Sequence, residues 1–453
     1  MEIWQRNKAL TLLFFPALLT VASLLFLGMP LKFLLIILGI LLFVISFANT
    51  NLALIILIFS MLLSPEFKLG TVPGRDVVVR IDDILLFVVF FGWLAKMAVN
   101  KELGLLRTTP LNALIIAYIA TCIISTAIGI IAGPVTLSKS FFYILKYLQY
   151  FMLYFLVTNN IADKGQTKIF ITAFLITGFI ICIYASTQIG AGFRVTAPFE
   201  GPHPEPNTLG GYLILLFAVS MGIFLYSPSL PWQILSGILA FLTIPPLIFT
   251  LSRGSYVAFI PMYLTLILLS RKKKVFLIAA LILAIFIVPV VLPRAREAVT
   301  KRIEATFTST IVYKAFGKRI PLEQSAASRI ESWKRVFRQW TKRPLFGHGV
   351  TGVGLVDAQY PRVLGETGII GFSIFIWLII TIFKHSLKIF SNIDDDWAKG
   401  LALGFLAGFI GLVIQSFVAN TFIIVRIMEP FWFLAAIVMM LPQISISSET
   451  PHS

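Results

Sequence analysis

Two arginines in polar surroundings are the first residues whose chemistry needs an explanation. Arg194 opens a loop, residues 194–207, that is dense in proline and glycine, and no apolar pattern accounts for this arginine. Arg253 lies between two apolar runs, next to Ser252 and to a glycine that allows a ligand to approach closely. An arginine at such a boundary either extends to lipid headgroups or marks a binding site. The short polar side chains beside Arg253 favour a site that captures an anionic substrate.

The candidate residues for general acid–base catalysis are mostly further along the chain. Asp357 and Glu366 follow the turn-rich stretch that contains His348, and either carboxylate is a candidate general base. Glu366 is equally well explained as a residue that favours a helix dipole, because it falls in the first turns of an expected helix. His203, in the loop that begins at Arg194, is another candidate, although a lone loop histidine is more often a solvated bystander.

A helix rich in arginine precedes these carboxylates. Its apolar residues recur at spacings of three and four, and they are Ile330, Trp333, Phe337 and Trp340. Residues 328–340 therefore predict an amphipathic helix, which either lies on the membrane surface or presents Arg335 and Arg338 to a substrate.

Five more polar residues are predicted to contact substrate, and they are Arg80, Asn207, Ser252, His348 and Tyr360. Two have alternative explanations. The acidic residues that follow Arg80 suit a helix N-terminus, and Asn207 fits the N-cap of a helix.

The elements that position these residues are predicted to be membrane helices. Of 453 residues, 58% are hydrophobic and only 13% are charged, so the chain needs lipid around it. The fold class is all-α, a polytopic bundle of 12 to 14 transmembrane helices. The fourteen candidate helices lie near 9–28, 31–48, 51–64, 84–99, 110–132, 140–158, 167–189, 207–226, 231–250, 254–270, 275–293, 363–387, 400–420 and 427–443. The predicted organisation is helices over 1–293, a long extracytoplasmic loop over 294–362, helices over 363–443 and a cytoplasmic tail over 444–453.

Orientation follows from lysine and arginine in the short loops. With the N-terminus inside, the run Arg271–Lys274 and three further loops obey the positive-inside rule, and both termini are cytoplasmic. The outer side then receives Arg194, Arg253 and the segment 294–362, which holds 14 Lys or Arg against 5 Asp or Glu. The net charge of +17 is therefore explained by an anionic substrate or by lipid headgroups rather than by nucleic acid.

Several function classes lack their motifs in this sequence. It has no histidine pair at metal-ligand spacing, no carboxylate pair of a metal-dependent transferase, no Walker loop and no dinucleotide fingerprint. We therefore expect no cofactor and no metal. A donor that reaches the outer side must already be carried by the membrane.

Three stretches resemble the superfamily of O-antigen ligases and O-antigen polymerases. They are Thr250–Ser255, Pro344–Gly354 and Asp357–Gly371, and the segments 80–83 and 198–207 are similar to that family as well. The resemblance implies a multi-helical glycosyltransferase of the bacterial inner membrane with its active site facing the periplasm. Its donor would be a glycan on undecaprenyl diphosphate, and it would need no metal. The products of such enzymes are lipopolysaccharide O-antigen or exopolysaccharide.

The resemblance also implies roles for individual residues. Arg194 and Arg253 match the two functional arginines of the ligases, and Asp357 stands where the ligases have a histidine. That departure favours a polymerase, for which a chain-length regulator would be a partner, over a ligase that uses lipid A–core as acceptor. The two arginines would stabilise the departing diphosphate, with Asp357 or Glu366 as base.

Two alternatives belong to other classes. A lipid-linked glycan transporter would carry buried charges at mid-membrane and two repeated halves, and the sequence shows neither. A non-catalytic assembly subunit would tolerate the loss of Arg253, whereas an enzyme would not.

Overall fold

The computed structural model is built almost entirely of α-helices. It describes residues 31–72, 75–101, 106–133, 135–191, 193–200, 204–291 and 324–447, together with 293, 296–297, 299–301, 304, 312–315 and 318–321. The predicted first helix, 9–28, and residues 448–453 lie outside the described residues.

The helices follow the predicted apolar runs closely. They are α1 Leu31–Ala48, α2 Thr50–Leu63, α3 Ile81–Val99, α4 Asn112–Ile131, α5 Leu137–Asn160, α6 Lys164–Thr187, α7 Pro206–Tyr226, α8 Leu230–Phe249, α9 Arg253–Leu269, α10 Lys274–Val291, α11 Gln324–Trp340, α12 Gln359–Asn392, α13 Asp396–Gln415 and α14 Val425–Ser447. Two short hairpins, β1 Glu66–Val72 with β2 Arg75–Arg80 and β3 Val312–Ala315 with β4 Lys318–Pro321, interrupt them.

The predicted fold class of a multi-pass helical membrane protein is confirmed. Within the described ranges, eight helices are long and apolar enough to cross a membrane, and four shorter apolar helices accompany them. The spanning helices are α4, α6, α7, α8, α12 and α13 over their full lengths, with α5 from Ser140 and α14 to Ile444. Exposed Ile234, Ile238 and Phe241 on α8 suit contact with lipid chains.

The chain divides into two compact units. One contains α1 and α3, which pack closely where the Ser46 hydroxyl donates a hydrogen bond to the Val89 carbonyl at 2.7 Å. The other contains residues 61–66 and everything from Arg107 onward.

The centre of the larger unit is a seam of glycines between α7 and α13. Gly400, Gly404 and Gly408 recur every four residues along one face of α13. A Cβ on Gly404 would lie 2.6 Å from the backbone oxygen of Ala218, so a larger residue at this position would collide with the α7 backbone. The two helices are therefore in backbone contact, and α7 is almost wholly buried.

The helix ends of this unit gather into two sets, which we name by their commonest cation. The arginine end comprises the ends of helices near residues 131, 137, 187, 206, 249, 253, 359, 415 and 425. The lysine end comprises those near residues 160, 164, 226, 230, 269, 274, 392 and 396. Hydrogen bonds join members within each set, such as Gln359 N–H to the Ser416 carbonyl at the arginine end and Arg271 N–H to the Tyr226 hydroxyl at the lysine end.

Candidate functional site

The turn between α8 and α9, residues 250–253, brings the first predicted residues together. Leu251 adopts a left-handed conformation with φ of 48°, which reverses the chain sharply after α8. The Ser252 hydroxyl then caps α9 by accepting a hydrogen bond from the Ser255 N–H at 3.2 Å. Arg253 is consequently the first helical residue of α9, and it is half-buried.

Arg194 is bonded to this same turn. Its Nε donates to the Thr250 carbonyl at 2.8 Å, and a terminal nitrogen donates to the Leu251 carbonyl at 3.3 Å. The next residue, Val195, donates its N–H to the Phe249 carbonyl at 3.1 Å. The two arginines that sequence analysis singled out are thus held on one turn.

Asn207 also belongs to this group, although the predicted N-cap role is wrong. Glu205 occupies the N-cap of α7, because the fixed φ of Pro206 suits the first helical position and starts the helix one residue before Asn207. Asn207 instead accepts a hydrogen bond through Oδ1 from the Ser252 hydroxyl at 2.7 Å. It therefore joins the start of α7 to the cap of α9.

Residues 415–420, which we call the connector, link this turn to the carboxylate-bearing segment. On one side, Gln415 Nε2 donates to the Ser255 hydroxyl and to the Asn207 carbonyl, each at 3.1 Å. On the other side, the Ser416 carbonyl accepts from Gln359 N–H at 3.0 Å, and Asn420 Nδ2 donates to the Val356 carbonyl. The six-residue connector therefore bonds beside the turn 250–253, which we call the arginine turn, and also bonds to the segment that carries Asp357.

The two candidate bases have different surroundings. Glu366 is 1% exposed, and its Oε1 accepts from Arg362 Nε at 3.1 Å and from Thr351 N–H at 2.9 Å. The Arg362 guanidinium stacks on the Tyr143 ring, with 5.0 Å between them. Asp357 is exposed just before α12. Glu366 thus forms a buried ion pair, a role that sequence analysis did not consider, whereas Asp357 is open to solvent or substrate.

Two more predicted contacts lie beside this segment. The Tyr360 hydroxyl donates to the Val413 carbonyl at 2.7 Å, and its ring centroid lies 4.6 Å from that of Phe417 in the connector. His348 is held between α11 and α12. Its ring Nε2 lies 2.8 Å from the Gln339 carbonyl, and its backbone N–H donates to the Gly365 carbonyl. Both residues are half-buried.

The amphipathic helix exists as α11, and its buried face differs in part from the predicted one. Val336 is fully buried against Val353 and Val356, whereas Phe337, predicted to be on the apolar face, is 45% exposed. The reason is that the 353–356 segment covers the Val336 side of the helix. Arg335 and Arg338 are exposed, and Arg335 donates to the Leu355 carbonyl.

Arg80 belongs to the smaller unit and is described by itself. In the smaller unit, Arg80 forms an ion pair with Asp82 beside α3, and the Asp83 carboxylate accepts from the Arg80 N–H at 2.9 Å. The alternative explanation, acidic residues at a helix N-terminus, is confirmed there. His203 lies outside the described residues.

Sequence analysis missed three charged residues of the arginine end. Arg426 is buried at the start of α14, and its guanidinium bonds to the Glu66 carboxylate and to four backbone carbonyls. Burial raises the pKa of the neighbouring Glu200 carboxyl to about 8, with Glu66 adding to the rise and Arg426 opposing it. The available signal was an arginine within the otherwise apolar run 422–428, which is costly in lipid unless it is paired.

Comparison with known families gives one match. Residues 238–376 match the family model described as O-antigen ligase. The matched region runs from within α8 to within α12, so it contains Arg253, Asp357 and Glu366 but neither Arg194 nor Arg426. No curated protein matches the chain. The predicted resemblance is therefore confirmed for an O-antigen ligase family domain in a multi-pass membrane protein.

Proposed function

We propose that this protein, which carries an O-antigen ligase family domain, is a polymerase that joins lipid-linked glycan units on the outer face of the bacterial inner membrane. The family performs glycan transfer of the ligase or polymerase type, and its substrates are lipid-linked glycans. The donor would be a glycan on undecaprenyl diphosphate, and the acceptor a hydroxyl of another lipid-linked unit.

One observation carries the proposal. Gln415 of the connector bonds to Ser255 in the first turn of α9, which Arg253 begins. The same connector bonds to the segment that holds Asp357. This shared attachment supports a role for the two arginines at a leaving diphosphate and for the exposed Asp357 carboxylate at an attacking hydroxyl.

The proposed reaction is a single displacement at the anomeric carbon. The acceptor hydroxyl oxygen forms the new bond, the bond to the diphosphate oxygen breaks, and its electron pair leaves with the diphosphate. Arg194 and Arg253 stabilise the charge that develops there, because guanidinium groups match phosphate oxygens and stay protonated. Loss of one such donor costs about 100- to 1000-fold in rate.

Asp357 is the proposed base that takes the hydroxyl proton. Glu366 is the weaker candidate, because its carboxylate is buried and paired with Arg362. The aspartate at position 357, where the ligases have a histidine, also supports a polymerase over a ligase.

The test is an assay in proteoliposomes with the undecaprenyl-diphosphate-linked repeat unit as donor. Arg194→Ala and Arg253→Ala should each lower turnover by about 100- to 1000-fold, while the control Lys272→Gln, at the lysine end, should transfer glycan at the parent rate. A polymer ladder formed from the repeat unit alone would support a polymerase. Transfer that occurs only when lipid A–core is added would support the ligase alternative, and near-parent turnover of both arginine variants would end the proposed mechanism.

A further inference from the structure

Arg426 makes an unusually large number of contacts for a single side chain. Its guanidinium is 3% exposed. The acceptors are the carbonyls of Leu62 at 3.1 Å, Pro198 at 2.9 Å, Ser64 at 3.3 Å and Phe199 at 3.0 Å, together with Glu66 Oε1 at 3.1 Å. Residues 62–66 and residues 198–199 are thus joined through one side chain in α14.

The N–H groups of the Arg426 guanidinium are used on protein acceptors. A guanidinium has five N–H groups in a rigid planar fork. Here Nε and both terminal nitrogens donate to protein acceptors, and five different residues accept. Arg426 is therefore committed to holding polypeptide rather than to binding a substrate phosphate.

One of the two segments that Arg426 holds belongs to the loop 194–200, which carries Arg194. One end of this loop is tied to the 250–251 carbonyls by the Arg194 side chain, and the other end is tied by Arg426. Phe199, whose carbonyl Arg426 binds, has φ of 56°, a conformation that costs a bulky residue energy and persists only where the surroundings enforce it.

We propose that Arg426 is a positioning residue that fixes the loop 194–200 and, through it, the guanidinium of Arg194 against the arginine turn. This inference rests on the proposed role of Arg194 at the leaving diphosphate. Arg426 acts on the reaction through Arg194 and makes no contact with substrate.

The first test measures the loop without measuring activity. Ala197 is 2% exposed, so a cysteine there should react slowly with a membrane-impermeant maleimide in a background with Cys122→Ala and Cys182→Ala. Arg426→Gln should raise the labelling rate of Ala197→Cys about tenfold or more, because the loop is released at one end. Arg426→Lys should give an intermediate rate, since a lysine has three donors and no planar fork. Lys272→Gln is the control and should leave the rate unchanged.

The second test is a double-mutant cycle on glycan transfer. Arg426→Gln should lower kcat about 10- to 100-fold with KM for the lipid-linked repeat unit within about twofold, because Arg194 is misplaced for the transition state. The double variant Arg194→Ala/Arg426→Gln should be no slower than Arg194→Ala alone.

The two tests separate this inference from the proposed function. Unchanged labelling of Ala197→Cys in Arg426→Gln, or fully additive losses in the cycle, would overturn the positioning role. Faster labelling together with an active Arg194→Ala variant would instead refute the leaving-group role while leaving the hold of Arg426 on the loop established.

Discussion

The two ends of the large helical unit solve the same problem, charges on a membrane protein, in different ways. At the lysine end, Lys272 and Asp396 form an ion pair at 2.7 Å whose side chains are 47% and 39% exposed. At the arginine end, Arg362 and Glu366 pair at 3.1 Å with side chains 7% and 2% exposed. Water and ions screen the first pair and hardly reach the second.

The type of cation differs for a physical reason. Lys164 and Lys272 each bind one carboxylate, Asp395 or Asp396, as compact charges on flexible chains. Arg194 and Arg426 each donate hydrogen bonds to several backbone carbonyls. The arginine end is therefore a rigid arrangement of backbone and guanidinium groups, which suits the proposed binding of a diphosphate, whereas the ion pairs of the lysine end are partly exposed.

The largest predicted effect separates the two carboxylates of the arginine end. Asp357→Asn should lower turnover by about 100- to 10,000-fold, because it removes the proposed proton acceptor without changing its size. Glu366→Gln, measured in the same proteoliposome assay, is the comparison and should lose less turnover than Asp357→Asn. If Asp357→Asn kept parent turnover while Glu366→Gln was inactive, the assignment of the base would be reversed.

Breaking the buried pair should have the next largest effect, on stability. Glu366→Leu leaves the Arg362 charge buried without its carboxylate and should cost about 3–5 kcal/mol in the free energy of unfolding. The matched double variant Arg362→Met/Glu366→Leu should recover most of that loss, since both charges are then absent. Chemical unfolding of the detergent-solubilised protein measures both, and equal losses in the single and double variants would contradict the assigned pairing.

Features of this protein that depend on local interactions were predictable from the sequence, and those that depend on contacts between distant parts of the chain were not. Helix positions followed from apolar runs, because the need to bury backbone groups in lipid is local. The meeting of Arg194 and Arg253 was anticipated from the family resemblance. The N-cap at Glu205 was missed because Pro206 displaced the start of α7. The role of Arg426 was not predictable, since four of its five acceptors are backbone carbonyls more than 220 residues away, and any residue type supplies a carbonyl.

A pH measurement tests the burial of Glu200. Its pKa of about 8 in the folded protein exceeds the ordinary value of 4.5, so this carboxyl stays protonated while the unfolded chain ionises. Its contribution to stability is therefore fully present below about pH 4.5 and decreases as the pH rises to about 8.

Glu200→Gln imitates the protonated form and should remove that decrease. Thermal unfolding of parent and variant between about pH 5 and about pH 9 should give midpoints that diverge as the pH rises, with the variant higher. Glu205→Gln, on the same segment, serves as control. Parallel pH profiles for Glu200→Gln and the parent would show that Glu200 titrates as an ordinary surface carboxyl.

The smallest effect is expected at the lysine end. Lys272→Gln should change the free energy of unfolding by less than about 1 kcal/mol, and added salt should reduce even that difference.

The stability of the lysine end also depends on pH, through Asp395. Burial raises the pKa of Asp395, but the hydrogen bonds from Lys164 and from the Ala398 N–H outweigh it, so the pKa lies below the ordinary value of 3.8. The stability that Asp395 contributes is present above that value and is lost as the pH falls through and below it.

A loss of stability in Lys272→Gln comparable to that of Glu366→Leu would erase the distinction between the two ends.

The glycine seam has a consequence for how the site comes into being. A helix whose backbone touches its neighbour can neither slide nor turn without collision, so α13 delivers residues 415–420 to a fixed place. The cost of ordering these groups falls in the folding of the protein and is not repeated at each catalytic cycle. The site proposed for the donor lipid is thus formed when the protein folds, before any lipid-linked glycan binds.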